Sequence, residues 1–138
     1  MVAKTRVLIV GLEPSLIDFS DPAYGASGLN AAAVRSGLEA DQADLNALGY
    51  DAELCLIDFG ETAETVLRAR LDTKSFDCVL IGAGLRLIAK NTPLFEKLVN
   101  IAHVKAPRAR LSFNTEPTDT AASVQRCLPA TNRTDGFC

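Results

Sequence analysis

Two short, unbroken apolar runs constrain this chain more than anything else in it. Val7-Leu8-Ile9-Val10 near the start and Cys78-Val79-Leu80-Ile81 in the middle carry no charged side chain. A strand with one solvated face alternates apolar and polar residues, so an unbroken run predicts a strand covered on both faces. Such strands belong in the middle of a parallel sheet with helices on either side. The second run is the more informative, because it ends the stretch 76–81 and feeds directly into Gly82-Ala83-Gly84 and then Arg86.

The remaining elements fall between and around these runs. Strands are expected at 6–10, 52–57, 76–81 and 109–113. In the last, Arg108, Arg110 and Ser112 alternate with Ala109, Leu111 and Phe113, which predicts a single solvated face. The first helix is expected over 28–48, with Ala31, Val34, Leu38, Leu45 and Leu48 as its buried stripe and Gly49 as its terminator. Asp41 interrupts that stripe. Gly37 weakens the helix by about 1 kcal/mol relative to Ala, and close packing on the sheet would be a reason to keep it. A second helix is expected over 62–71, with Ala63, Val66 and Leu67 facing inward. A third starts at Thr92 as cap with Pro93 in the first position, and turns Phe95, Leu98, Val99 and Ala102 inward. A fourth is expected over 119–128, ended by Pro129.

Four successive β-α units imply a single-domain, three-layer αβα fold with a four-stranded parallel sheet. Placing the half-polar second and fourth strands at the edges gives the order 2-1-3-4. This order resembles a truncated flavodoxin-like or Rossmann-like arrangement. At 138 residues the chain suits one domain. That domain is expected to occupy 1–128, with 129–138 a flexible tail. A shared topology does not carry function, and the functional patterns of this topology are missing. Gly11-Leu12-Glu13-Pro14-Ser15 is not the hydroxyl-rich phosphate loop of a flavodoxin. Gly82 stands where a phosphoacceptor receiver would carry aspartate, and no cysteine follows the first strand as a phosphatase loop would need.

Composition excludes further classes. A net charge of −3 gives no general attraction to nucleic acid or anionic membranes. The most visible basic group, Lys105 with Arg108 and Arg110, has no interleaved aromatics and fits an edge strand guarded by charge. No segment approaches the ~20 apolar residues of a membrane helix. The apolar run after Lys4 and Arg6 is broken by Gly11 and Glu13, too early for a signal peptide, so a cytoplasmic protein is expected. The four cysteines lack metal-ligand spacing. Cys55 and Cys78 read as core residues, and Cys138 as an oxidation liability.

In a sheet of this kind, ligands bind where the strand order switches, beyond the carboxyl ends of the strands. His103, the single histidine, and Cys127 fall at the opposite edge, which argues against nucleophile-plus-base catalysis within one chain. The ligand edge collects the long connection 11–27, the turn 82–86 and the segment 114–119. The candidate ligand-binding residues are therefore Gly11, Glu13, Gly82, Gly84, Arg86, Asn114 and Thr115, with Thr118 as a further hydrogen-bonding group. Gly82-Ala83-Gly84 is similar to the start of a dinucleotide fingerprint, but Leu87 stands at the third glycine position, and turn geometry explains both glycines. Arg86 is either an anion anchor or the partner of a nearby carboxylate.

The same edge is acidic, with Glu13, Asp18, Asp21, Asp58, Glu61, Glu116 and Asp119 against Arg86 and Lys90. Carboxylates at helix starts complement helix dipoles, and this reading is preferred to a metal site, for which Asp18, Asp58 and Asp119 are the weak candidates. The expected function is a module binding a small polar ligand or a protein partner at the switch point, with no cofactor assigned. The alternatives are a divalent-metal-assisted hydrolase or phosphoryl-transfer enzyme, and a structural module forming a homodimer.

Overall fold

In the computed structural model, residues 4–24 and 29–128 are described. The tail 129–138, with Pro129 and Cys138, and the expected helix start at Gly28 lie outside the described residues. The chain runs β1 (Arg6–Leu12), α1 (Ala31–Ala47), β2 (Asp51–Ile57), α2 (Ala63–Thr73), β3 (Cys78–Ile81), α3 (Ala83–Arg86), α4 (Thr92–Lys105), β4 (Arg110–Phe113) and α5 (Thr120–Cys127). Short 3-10 turns occupy Pro14–Leu16, Ala89–Asn91 and Pro117–Asp119. All four strands are parallel and lie in the order β2-β1-β3-β4, a flavodoxin-like three-layer αβα arrangement. The two unbroken apolar runs are its central strands, as their lack of a polar face requires.

The pleat divides the core into two unequal halves. Leu8, Val10, Leu12, Cys55, Ile57, Val79 and Ile81 face α2, α3 and α4, and meet Leu67, Leu85, Leu98 and Ala102. Val7, Ile9, Ala52, Cys78 and Leu80 face α1 and α5, where Leu45 and Val124 cover them. The second half is thin. Within α1 only Leu45 is buried. Val34 and Leu38 of the expected stripe are half-buried. Leu48 is 52% exposed, because the helix ends at Ala47 and the chain leaves through Gly49, whose φ of 100° only glycine adopts freely.

Three other expectations are corrected. Ser112 is fully buried rather than solvated, because α5 packs over that face of β4. Thr92 is the first residue of α4, and Asn91 takes the cap position before it. The turn expected at 82–86 is instead the short helix α3, and a 3-10 turn follows at Ala89–Asn91. Basic residues at the far edge pair with local carboxylates: Arg70 and Lys74 with Glu53, and Lys105 with Asp72. Among the described residues no helix is long and apolar enough to cross a membrane.

Since Leu45 is the one buried side chain of α1, Leu45→Ala is expected to cost about 2–5 kcal/mol in urea unfolding. The loss of amide protection should be largest in α1 in hydrogen exchange, and a uniform loss across α2 and α4 would contradict this division of the core.

Candidate functional site

A cavity of about 450 Å³ opens at the carboxyl end of the sheet, on the α1 side. It sits beside the junction of β1 and β3, where the strand order switches. Its origin lies in the alternation of the strands. On the α1 face, β1 presents Val7, Ile9 and then Gly11, and β3 presents Cys78, Leu80 and then Gly82. The pairing of Val10 with Ile81, and of Ile81 with Phe113, puts Gly11, Gly82 and Asn114 side by side one step further on. Two of the three positions in that row have no side chain. Opposite them α1 presents Gly37, where a Cβ would meet nothing within 4 Å. The cavity is a row of absent side chains.

This changes the reading of several glycines. Gly82 lies at φ −67°, and neither it nor Gly84 has positive φ, so turn geometry does not require either. A Cβ at Gly82 would stand 3.4 Å from the Val10 carbonyl oxygen, and one at Gly84 would meet nothing within 4 Å. Gly37 faces open space, not the closely packed sheet expected for it.

The walls are largely apolar. Ile17, Phe19, Ala23, Tyr24 and Leu29 come from the connection after β1, Val34 and Leu38 from α1, and Leu85, Leu87 and Ile88 from the segment after β3. Asn91 fastens two of these walls together, its amide donating to Tyr24 Oη at 2.8 Å and to the Gly84 carbonyl at 3.0 Å. Buried on α4's cap, it is a residue that sequence reasoning missed, since nothing local marks an asparagine as a tie between distant loops. Lys90 adds to the same joint, with its ammonium 5.0 Å from the Tyr24 ring centroid and an ion pair to Asp21.

The polar lining groups are Asp41, Asn114, Thr115 and Glu116. Asn114, buried, organises them. Its Oδ1 accepts from the Ala83 backbone N–H at 2.8 Å, and its Nδ2 donates to Thr120 Oγ1 at 3.1 Å. The Thr120 hydroxyl in turn donates to Asp41 Oδ2 at 2.9 Å. The chain of bonds ties the end of β4 to the loop after β3, to α5 and to α1. Asp41 was also absent from the sequence candidates, though its interruption of an apolar stripe is the signal that could have found it. Half-buried among apolar walls, its carboxyl is pushed above the usual range by desolvation, against the Thr120 hydrogen bond and with help from Asp44 and Asp119.

Of the sequence candidates, Gly11, Gly82, Gly84, Asn114 and Thr115 line the cavity, whereas Glu13 and Arg86 do not. Glu13 accepts from the Ser15 N–H and pairs with Arg35, and these hold its carboxyl below the usual range. Among the described residues Arg86 pairs with no carboxylate, and its buried Nε has no hydrogen-bond partner. Its Nη2 donates to the Asn114 carbonyl at 3.1 Å and its guanidinium lies 5.9 Å from the Phe113 ring centroid.

The weak metal candidates are each occupied by their own loop. Asp18 accepts from the hydroxyl and backbone of Ser20. Asp58 accepts from the N–H groups of Gly60, Thr62 and Ala63. Asp119 accepts from Thr115 and Glu116. Among the described residues no group of three or more His, Cys, Asp or Glu could hold a metal ion. Comparison with protein-family models, curated proteins and solved structures found no match to this chain.

Two predictions follow from the polar cluster. Asn114→Ala strips partners from the Ala83 N–H and from Thr120, and should cost about 1–3 kcal/mol in chemical unfolding, with the Ala83 amide losing protection. Asp41 has a folded-state pKa above its unfolded one, so its ionisation works against the fold. The relative stability is present below the ordinary carboxylate value of 3.8 and lost as pH rises through the folded pKa. Asp41→Asn should therefore gain on the wild type as pH rises through that range and level off above it, measured by unfolding at a series of pH values.

Proposed function

We propose that this protein is a small-molecule binding module whose ligand occupies the cavity at the switch point of the sheet, without nucleophile catalysis. The observation that carries this reading is the lack of side chains at Gly11 and Gly82 on the sheet and at Gly37 opposite them on α1, beside a cavity of about 450 Å³. Small-molecule pockets span about 300–1,000 Å³ and combine apolar walls with a few convergent polar groups. The composition of the walls refines the expected ligand from a polar one to one with an apolar body and a single polar end, the polar end lying toward Asp41, Asn114 and Thr115.

Two further observations support binding over chemistry. The described lining has no Ser, Cys, His or Lys. The Cys55 thiol lies in the core, where desolvation pushes its pKa up to about 11 and keeps it protonated. Buried thiols of this kind suit a reducing, cytoplasmic setting.

Gly37 provides the test. It has helical backbone and open space before its Cβ, so Gly37→Ala should stabilise the protein by up to about 1 kcal/mol. Gly37→Leu should fold and fill the cavity. In a fragment screen by NMR, hits are expected to shift the amides of Gly11, Leu38, Gly82 and Asn114 in the wild type and not in Gly37→Leu. Hits that map elsewhere, or bind the leucine variant equally well, would refute the assignment.

A further inference from the structure

Resting on that binding reading, we infer that the ligand is a primary amine with a flat apolar body, its ammonium group held by Asp41. The cavity lining carries two carboxylates, Asp41 and Glu116, and no basic side chain among the described residues. Their situations differ. Glu116 is exposed and satisfied locally, accepting from the Asp119 backbone and from the Thr118 hydroxyl at 2.7 Å. Asp41 is half-buried and accepts one hydrogen bond, from Thr120, through Oδ2. Its Oδ1 has no hydrogen-bond partner, and no cation pairs with it, among the described residues.

None of the nearby cations among the described residues pairs with Asp41, though the buried Nε of Arg86 has no hydrogen-bond partner. Arg35 pairs with Glu13, Lys90 pairs with Asp21, and Arg86 is turned to the Asn114 carbonyl and the Phe113 ring. A partly desolvated carboxylate without a counter-ion, facing an apolar cavity, is a site that gains most from an incoming N–H donor carrying positive charge. Charge-assisted hydrogen bonds are about twice as strong as neutral ones, and the low local polarity strengthens them further. Asp44 and Asp119 add to the negative potential at Asp41. The same field disfavours phosphate and carboxylate ligands. Phe19 and Tyr24 in the wall suit an aromatic body.

Three molecules of closely similar shape separate the possibilities: tryptamine, tryptophol and indole-3-propionate, which end in an ammonium, a hydroxyl and a carboxylate. Titrated into the full chain at neutral pH and low salt, tryptamine is expected to bind at least about tenfold more tightly than tryptophol, with indole-3-propionate weakest. In Asp41→Asn, whose folding is checked by its thermal transition, the ratio of the tryptamine and tryptophol affinities should fall toward one. Equal affinities in the wild type, or an amine preference that persists in Asp41→Asn, would overturn the inference while leaving the cavity as a binding site. Failure of all three to move the Gly11 and Gly82 amides at millimolar concentration would overturn the inference and the binding reading together.

Discussion

Where β1 and β3 run out into Gly11 and Gly82, α1 meets the sheet through Leu38 at Gly11 and leaves a cavity beside it, and the rest of the site depends on that thin packing. Parallel central strands are covered by helices because both their faces are apolar. Here the covering is complete on one side and interrupted on the other. Leu45 anchors the second half of α1 over Val7, Ile9 and Leu80, while its first half stands over Gly11 and Gly82. A helix held at one end by a buried leucine, above a row of glycines, leaves a space that neither partner fills.

A cavity of this kind would collapse unless its walls were fixed independently of each other. The fixing is polar and long-range. Asn91 ties the connection after β1 to the loop after β3, and Asn114 ties that loop to α5 and, through Thr120, to α1. Both asparagines are buried, so their hydrogen bonds form in a setting where an unmade bond is expensive. The carboxylates of the same edge do a different job. Asp18, Asp58 and Asp119 close their own turns and caps.

Much of this was legible in the residue order. The runs at Val7–Val10 and Cys78–Ile81 identify the central strands, and the switch point follows from their position. The pattern Val7, Ile9, Gly11 and its counterpart Cys78, Leu80, Gly82 also held the origin of the cavity. Read as a turn residue, Gly82 concealed it. Read as the last members of an inward-facing series, Gly11 and Gly82 mark where the core ends. Asp41 gave a similar local sign, as a carboxylate on an apolar stripe. Asn91 gave none, because its partners Tyr24 and Gly84 are 67 and 7 residues away and only folding brings them together.

The sequence by itself determined the layers, the parallel order of the strands and the place where that order switches. Hydrophobic period and strand-helix alternation are local properties, and they leave few topologies open. The tertiary structure decided what that place is made of. It turned Arg86 onto Phe113, buried Ser112 under α5, and set Asp41 beside an apolar cavity with no counter-ion among the described residues. These outcomes depend on which elements cover which faces, and on how far α1 stands from the sheet. Such distances arise from packing between residues remote in the chain, which no local pattern records.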